Sequence, residues 1–389
     1  MINLSILFLF GNNYFNAPFF SNHDKINIKM CYFSKCFSHV LFNNVKTMIF
    51  NSQFSNFLNQ PVFNENKNIF EERYVYDKDN VLLIENSYFR NCKSVNSGGA
   101  IYYFSNSFNY VMNIKNTLFE NCMTENNGGA IFFAGENASL SLVSAKMCNA
   151  NIDGQFCHLS TSVLRNGYFN LDYIAVSKCS NEKMNGRYNS VYLKSGIQQI
   201  SYLNSTDNFV SHSGSSLFIS TSFYFTMKNC FYSNNRNSSL FEFYANSNST
   251  VTSSIFYNNS NQFQSYGIIS FNTICNFYHC KFILNKGILF YRNNFYINLY
   301  NCSINDSKKK WSCVKLFSCT FINSTDDKIF DEESSLNGLI LNNHVNVMVD
   351  FSQIITLLIL FALLILLITL NGNIKGKLNK RKIQFKQFL

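Results

Sequence analysis

The chain has 389 residues, and its 32 Lys and Arg residues outnumber the 22 Asp and Glu residues, giving a formal net charge of +10. Six of the basic residues follow residue 371, so the rest of the chain is only mildly basic and its charge gives little support to nucleic-acid binding. The 13 cysteines include no Cys-x-x-Cys pair, so we expect no zinc site, and no cofactor is indicated.

The first 25 residues contain a short apolar run, from Leu4 to Phe10, with the small residue Ala17 further along. A signal peptide has such a run, but it usually carries a Lys or Arg ahead of it, and none is present here. Residues 1–25 are therefore interpreted either as a signal peptide or as a cap over the first turn of the following domain, whose open sheet edge needs cover.

Residues 26–341 contain one short phrase twelve times. It consists of an apolar residue, two positions later a residue that is often Asn, then a small Cys, Ser or Thr, one spacer and usually a Phe. Such recurrence at intervals mostly in the twenties to low thirties indicates one supersecondary unit repeated along the chain. The small residue stands at Cys31, Ser52, Ser87, Thr117, Cys148, Cys179, Ser205, Cys230, Ser254, Cys280, Cys302 and Cys319.

The apolar residue and the small residue lie three positions apart, so strict strand alternation would place them on opposite faces of a sheet. A single left-handed residue between them removes this conflict, and Asn adopts that conformation at lower cost than most residues. We therefore predict two strands joined by a sharp bend in each turn, with Asn side chains hydrogen-bonded between stacked turns. The predicted bend residues are Asn51, Asn86, Asn116, Asn204, Asn229 and Asn301.

Glycine marks the start of a further strand. Two Gly-Gly-Ala-Ile segments lie thirty residues apart, one with Gly98 and Gly99 and the other with Gly128 and Gly129. Glycine at a corner supplies a positive φ and lets a neighbouring turn approach closely. Together these patterns predict an all-β fold, a parallel β-helix of about twelve turns.

The Gly-Gly-Ala-Ile elements, with Phe-x-x-Asn elements intact at residues 256–259 and 282–285, resemble the repeats of the polymorphic outer-membrane protein family. The resemblance extends over about residues 26–341. It implies a right-handed parallel β-helix with a surface-displayed role in adhesion and antigenic variation. The family also has a C-terminal outer-membrane barrel, whereas this chain is similar to single-pass β-helix surface proteins of protists.

Residues 60–80 interrupt the repeat spacing and hold Pro61 and a cluster of charges, so we interpret them as an inserted loop. The cysteines of an exported domain also invite disulfides. In the small-residue column, stacked Cβ atoms point in parallel and lie slightly too far apart, so free thiols are expected there. Cys92 and Cys122, in adjacent turns, are better disulfide candidates. Further candidates are the pairs Cys31/Cys36, Cys275/Cys280 and Cys313/Cys319.

The C-terminal region predicts a membrane anchor. A juxtamembrane stretch at 342–353 is followed by an uncharged segment from Ile354 to Leu370, long enough at ~1.5 Å per residue to cross a thin hydrocarbon core as a helix. The tail, 371–389, is basic without an acidic residue, so the positive-inside rule places it in the cytoplasm and the preceding residues outside. We predict a single-pass integral protein of the plasma membrane or another secretory-pathway membrane.

A polysaccharide-cleaving β-helix needs carboxylates gathered on one outer face. The aligned strands show no stacked acidic pair, and the acidic group at 326–333 is interpreted as a solvated stalk, so no catalytic residue is assigned. The outward Tyr and Phe side chains form either a sugar-stacking stripe or ordinary, partly covered surface. Sequons that fit glycosylation of an exported domain begin at Asn137, Asn204, Asn237, Asn248, Asn258 and Asn323.

These patterns predict a cell-surface β-helix that binds an extracellular protein or glycan without catalysis. Two alternatives stay open: a membrane-tethered polysaccharide lyase or hydrolase, and a structural spacer.

Overall fold

A computed structural model of the chain consists, where it is described, of stacked parallel β-strands. The described residues form 37 strands and no helix, which confirms the predicted all-β class. The residues described are 2–10, 18–21, 25–42, 46–66, 80–105, 110–161, 167–180, 188–210, 216–237, 239, 241–245, 249–261, 269–271, 274–286, 289–290, 297–305 and 314–321.

Each turn of the coil, here called a rung, contains a strand A and a strand B that are separated by a bend. Strands A are Ile2–Ser5, Lys25–Lys29, Lys46–Phe50, Val81–Glu85, Tyr224–Lys228, Ser249–Thr252, Cys275–Tyr278, Ile297–Tyr300 and Val314–Phe317. Strands B are Phe8–Phe10, Tyr32–Ser34, Gln53–Ser55, Tyr88–Arg90, Phe231–Ser233, Ile255–Tyr257, Lys281–Ile283, Ser303–Ile304 and Thr320–Phe321. In four rungs A and B form one continuous strand: Val111–Glu120, Asn137–Lys146, Tyr168–Ser177 and Ile197–Thr206.

Two further strands complete a rung where they are present. The short strands C follow a second bend, and the strands D form a separate ten-stranded sheet. Strands C are Lys93–Ser94, Met123–Thr124, Asn149–Ala150, Arg236–Asn237 and Ser260–Asn261. Strands D are Phe20–Ser21, Leu41–Phe42, Val62–Asn66, Ile101–Ser105, Ile131–Ala134, Cys157–Ser160, Val191–Lys194, Leu217–Ser222, Phe241–Ala245 and Ile269–Phe271.

Successive rungs pair in parallel and in register. Ile84, for example, lies between Ile49 of the preceding rung and Ile114 of the next. Equivalent strands therefore recur at the ~4.8 Å spacing of a parallel ladder, and the predicted parallel, repeating architecture is confirmed as a β-helix-like coil.

The N-terminal segment contributes a rung of its own. Strands Ile2–Ser5 and Phe8–Phe10 pair with Lys25–Lys29 and Tyr32–Ser34, which brings the number of described strands A to thirteen, against about twelve predicted turns. Ile6 occupies the bend between them. The predicted signal peptide within residues 1–25 stays a prediction.

The first bend, between strands A and B, is one residue with a positive φ. Asn51, Asn86, Asn116, Asn229 and Asn301 take this conformation, with φ between 46° and 54°, as the sequence predicts. The Asn116 side chain donates to Asn86 Oδ1 at 2.7 Å, which is the expected hydrogen bond between stacked rungs. The other residues at this bend are Ile6, Met30, Leu142, Tyr173, Tyr202, Ser253, His279 and Ser318.

Asn204 is not a bend residue. The bend in its rung lies at Tyr202, and Asn204 continues the strand Ile197–Thr206. Three rungs bend at Leu142, Tyr173 and Tyr202, and the next residues are Val143, Ile174 and Leu203. These rungs therefore have neither the Asn nor the small residue of the repeat phrase at the first bend. The residues assigned to the phrase from the sequence, Cys148, Cys179 and Ser205, lie elsewhere in the same rungs.

The small residue after the first bend is buried and donates to the carbonyl two residues earlier. Ser87 Oγ donates to Glu85 O at 2.8 Å, Thr117 Oγ1 to Lys115 O at 2.9 Å, and Cys230 Sγ to Lys228 O at 3.3 Å. Ser, Thr and Cys share a small side chain that carries a hydrogen-bond donor. This shared chemistry explains why they interchange at this position.

A second bend follows strand B, and the sequence analysis missed it. Its positive-φ residues are Lys35, Asn56, Asn91, Asn121, Met147, Lys178, Asp207, Asn234, Asn258 and Leu284. The residue after this bend is buried in most rungs. In eight successive rungs, the side chains at this position form two ladders, the first of thiols and the second of amides. The thiol ladder is Cys92, Cys122, Cys148 and Cys179, and the amide ladder is Asn208, Asn235, Asn259 and Asn285.

Both ladders satisfy the same column of strand-B carbonyls. Cys122 Sγ donates to Phe89 O of the preceding rung at 3.7 Å, whereas Asn235 Nδ2 donates to Ser205 O at 2.8 Å. The amide also accepts, because the backbone N–H of Asn208 donates to Asn235 Oδ1 at 3.0 Å. An amide thus replaces one weak contact with two hydrogen bonds.

Cys92 and Cys122 are free thiols, so the predicted disulfide is absent. Their rungs pair in register through Phe89 and Phe119, and each thiol donates to a backbone carbonyl of the preceding rung. Burial raises the pKa of the Cys122 thiol, which keeps it protonated. Among the other predicted partners, Cys31, Cys275, Cys280 and Cys319 are also free thiols and Cys36 is buried, while Cys313 lies outside the described residues.

Both glycines of each pair are required by the backbone. Gly98 and Gly128 have φ of +72° and +70°. A Cβ on Gly129 would lie 2.1 Å from Gln155 O of the next rung, and one on Gly99 would lie 2.2 Å from Gly129 O. The first glycine therefore turns the chain and the second lets the next rung stack, as predicted from the sequence.

The predicted loop at 60–80 begins later than expected. Val62–Asn66 is a strand D that pairs with Leu41–Phe42 and Ile101–Ser105. Pro61 precedes it, and the Pro61 carbonyl accepts from Val40 N at 2.9 Å. Proline is compatible with this position because it lies outside the strand's hydrogen-bond ladder. Residues 67–79 lie outside the described residues.

No helix among the described residues is long and apolar enough to cross a membrane. The predicted segment from Ile354 to Leu370, the juxtamembrane stretch at 342–353 and the tail at 371–389 lie outside the described residues.

Replacing Asn235 by Ala is expected to destabilise the coil by about 2–4 kcal/mol. It leaves Asn208 N–H and Ser205 C=O buried without these partners, at ~1–3 kcal/mol each. The free energy of unfolding, measured by denaturant titration, tests this. Thr226→Ala, in a strand of the same rung but half-exposed, is the control and should change it by less than about 0.5 kcal/mol. An equal loss of unfolding free energy in the two variants would show that the amide ladder stabilises the coil no more than an ordinary strand side chain does.

The thiol ladder is expected to resist alkylation in the folded protein. Iodoacetamide should modify Cys92, Cys122, Cys148 and Cys179 only after unfolding, and without any need for reductant, because all four are buried thiols. Cys319, which is partly exposed, should react first and serves as the internal control. Recovery of a Cys92–Cys122 disulfide peptide by mass spectrometry would contradict the free-thiol assignment.

Candidate ligand-binding surfaces

An open groove of about 840 Å³ lies outside the second bend, beside the amide ladder. Two rows of residues line it, each with one residue from successive rungs. The bend row contains Met147, Lys178, Asp207, Asn234 and Asn258, and the backbone N–H groups of its members donate to the next rung, as Lys178 N does to Thr206 O at 3.1 Å. The parallel ladder therefore fixes the spacing of the side chains in this row.

The floor row follows the same register one or two residues later. Phe209 pairs with Arg236, Arg236 with Ser260, and Ser260 with Lys286. Asn208 lies in the groove wall, where the amide ladder anchors the bend to the core. The amide ladder thus fixes the position of the groove wall relative to the core.

The groove is basic. Lys178, Arg236 and Lys286 contribute three positive charges, and Asp207 contributes one negative charge. All four side chains are exposed. Counted by rung, the cations occupy every second rung, with Asp207 in the rung between Lys178 and Arg236.

A second surface is a ladder of aromatic rings on the outer face of strands D. The ring centroids of Phe63 and Tyr102 lie 4.9 Å apart, those of Tyr102 and Phe132 5.2 Å, and those of Tyr192 and Phe218 5.0 Å. Near-parallel rings at this spacing add to sheet stability beyond their buried area. The full ladder is Phe42, Phe63, Tyr102, Phe132, His158, Tyr192 and Phe218.

His158 belongs to this ladder and not to a metal site. Its ring lies between Phe132 and Tyr192, with centroid distances of 5.1 and 4.3 Å. Burial, aided by the charge of Lys194, lowers the pKa of His158 to about 3, so the ring is neutral. The described residues hold no group of three or more His, Cys, Asp or Glu side chains that is able to hold a metal ion.

Two buried carboxyl groups flank the end of the ring ladder. Burial raises the pKa of Asp153 to about 6, against a hydrogen bond from Asn189 at 3.3 Å. Burial raises the pKa of Glu242 to about 7, with a further contribution from the charge of Asp153 and an opposing hydrogen bond from Ser239. The charge of Asp153 thus contributes to the raised pKa of Glu242, although strand register places the Glu242 strand three rungs beyond the Asp153 rung.

The outward aromatics singled out from the sequence are only partly stacked. Tyr278 and Tyr300 stack at 4.7 Å, and Tyr300 and Phe317 at 4.6 Å. Tyr88 instead donates to Glu120, which also pairs with Arg90 at 3.2 Å. The longer ring ladder on strands D was missed, although the Gly-Gly-Ala-Ile segments marked the start of two of these strands; the period-two alternation of residues 101–105 and 131–134 was its available signal.

The predicted glycosylation sites differ in access. Asn258 Nδ2, the atom that a glycan would occupy, donates to Asn234 Oδ1 at 2.8 Å, and Asn137 Oδ1 accepts from Tyr168 N at 2.9 Å. Asn204 is half-buried, next to the buried Ser205 of its own sequon. The side chain of Asn237 and residues Asn248 and Asn323 lie outside the described part of the chain.

Comparison with known proteins finds no match to a family model, to a curated protein or to a solved structure.

The buried acids should make the protein less stable as pH rises. Between the unfolded pKa of ~4.5 and the folded pKa of about 7, the folded state holds a proton on Glu242 that the unfolded state releases, so stability is full below pH ~4.5 and is lost towards pH 7. Asp153 acts in the same direction between about pH 4 and 6. The expected loss is on the order of 2 kcal/mol.

Denaturant unfolding at pH 4.5, 6 and 7.5 measures this loss. Glu242→Gln, which stays uncharged, should remove about half of this loss, because Asp153 contributes a shift of similar size. Glu125→Gln is the matched control, because Glu125 is exposed, and it should leave the pH profile unchanged. The lowered pKa values of His39 and His158 raise stability with pH in all three proteins, so the test is the difference between profiles: identical profiles for Glu242→Gln and the unchanged protein would contradict the raised pKa of Glu242.

Proposed function

We propose that this chain is a single-pass, cell-surface β-helix that binds an extracellular ligand along its lateral face, as an adhesin does. The observation that carries the proposal is the groove beside the second bend. It offers about 840 Å³ of open volume, and it is lined by exposed polar and charged side chains held in strict register by the backbone. A surface of this kind is pre-ordered, so a ligand need not pay for its organisation.

The proposed membrane anchor determines on which side of the membrane the binding face lies. The segment from Ile354 to Leu370 is proposed as the membrane span, with the basic tail in the cytoplasm and the repeats outside the plasma membrane. We also propose a right-handed coil, since parallel strands joined by a crossover almost always connect in that sense. Surface display of the repeats and a right-handed coil both fit the resemblance to polymorphic outer-membrane protein repeats.

A polysaccharide-cleaving enzyme is the second candidate, and the raised pKa values of Asp153 and Glu242 are the observation that favours it. Inverting glycosidases hold their two carboxyl groups ~6.5–9.5 Å apart, and retaining enzymes hold them closer. Here the two carboxyl groups come from rungs that are three apart along the coil, although the charge of Asp153 still acts on Glu242. The larger set of polar side chains held in register lies in the groove, which supports a binding role over catalysis.

An epitope tag tests the orientation. Placed within residues 67–79, between strands Val62–Asn66 and Val81–Glu85, it should be labelled by antibody on intact cells that express the whole chain. The same tag after Leu389 is the control and should be labelled only after permeabilisation. The opposite pattern would place the repeats in the cytosol and overturn the cell-surface proposal.

Adhesion tests the binding role separately. Cells that display the chain should attach to a monolayer of neighbouring cells more often than matched cells without it. If the tag is accessible but attachment does not change, the chain is a surface spacer and the adhesin proposal falls.

A further inference from the structure

We infer that the groove binds a linear acidic polysaccharide, one that carries carboxylate or sulfate groups at regular intervals, lying parallel to the coil. This inference rests on the proposed function and names its ligand class. The evidence is the arrangement of charge in the groove, the polar groups between the charges and the direction in which the groove runs.

The cations are spaced by the backbone. Counted from the rung of Lys178, the residues Lys178, Arg236 and Lys286 lie in rungs one, three and five, so neighbouring cations are roughly 9–10 Å apart along the coil at ~4.8 Å per rung. A polymer whose charges recur along its length matches such a row, whereas a compact anion contacts only one of the three. The net charge of these side chains and Asp207 is +2, which favours an anionic chain.

The neutral polar side chains of the groove suit sugar hydroxyl groups. Asn258 and Ser260 lie in the rung between Arg236 and Lys286, Asn234 lies in the rung of Arg236, and their amide and hydroxyl groups both donate and accept hydrogen bonds. Asp207, in the second rung, accepts hydrogen bonds from hydroxyl groups but repels a second anion. The groove thus alternates charge recognition with hydroxyl recognition, as a polysaccharide with one acidic group per repeat requires.

A nucleic acid is the competing polyanion, and the groove is less suited to it. Proteins that bind single strands stack successive bases on several aromatic side chains. Among the described residues that line this groove, Phe209 is the one aromatic side chain. The ring ladder of strands D belongs to another sheet and its rings already stack on one another.

Binding of the full-length chain in lipid nanodiscs tests the inference. The probes are polygalacturonate and heparin, with neutral dextran and a thymidine oligonucleotide as comparison ligands. Both acidic polysaccharides should bind, more weakly as salt increases, and dextran should not. Binding to polygalacturonate alone or to heparin alone would identify carboxylate or sulfate as the recognised group and support the inference.

The variant Lys178→Gln/Lys286→Gln should lower affinity for the acidic polysaccharide roughly tenfold or more, because it removes two of the three cations. The matched control, Lys115→Gln/Lys228→Gln, removes two exposed charges at the first bend and should change affinity less than about twofold. Equal losses in both variants, or oligonucleotide binding as tight as polysaccharide binding, would show non-specific attraction and overturn the inference.

Failure of the inference is distinguishable from failure of the proposed function. If displayed cells adhere but the purified chain binds neither acidic polysaccharide, the ligand class is wrong and the surface-binding role stands. If the tag is not accessible on intact cells, the proposed function falls whatever the purified chain binds. Thermal unfolding of both variants ensures that a loss of affinity is not a loss of fold.

Discussion

The fold depends on how backbone groups are satisfied where each rung bends sharply. A single left-handed residue lets a strand turn a corner without a loop, but it takes the next N–H and an earlier carbonyl out of the regular ladder. Those groups face the core, where water is absent, and in most rungs a buried side chain pairs with them. At the first bend a Ser, Thr or Cys side chain donates to the carbonyl, as Ser87 does to Glu85. At the second bend a Cys thiol or an Asn amide does so.

This requirement explains the composition of the repeat. The core tolerates Cys, Ser, Thr and Asn in place of larger apolar residues because each satisfies a backbone group that an apolar residue would leave unpaired. Phe fills the space that these small residues leave, and the Phe54 and Phe89 rings stack at 4.9 Å in successive rungs. The chain therefore combines mostly polar bends with an aromatic core, and three rungs carry an apolar residue after the first bend instead.

The residue types at the bends also determine which parts of the fold are predictable from the sequence. Where Asn and a small residue mark the bend, as at Asn86 and Ser87, the sequence identified the strands, the bend and the buried faces. Where the bend is Leu142, Tyr173 or Tyr202, a tertiary environment imposes the left-handed conformation on residues that do not favour it alone, and the pattern carries no mark. The groove lay beyond reach for another reason: register across rungs, not spacing within one rung, brings Lys178, Arg236 and Lys286 into one groove.

The in-register stacking of rungs also affects how such a chain changes over time. Because each rung contacts mainly its two neighbours, and because Asn235 and Asn259 present equivalent groups above and below, loss or duplication of one whole rung leaves complementary edges. The molecule is thus able to gain or lose length in steps of ~4.8 Å without a redesigned core. A duplication inside the groove would extend its row of charges, so the reach of the protein and the length of polymer that it engages would grow together.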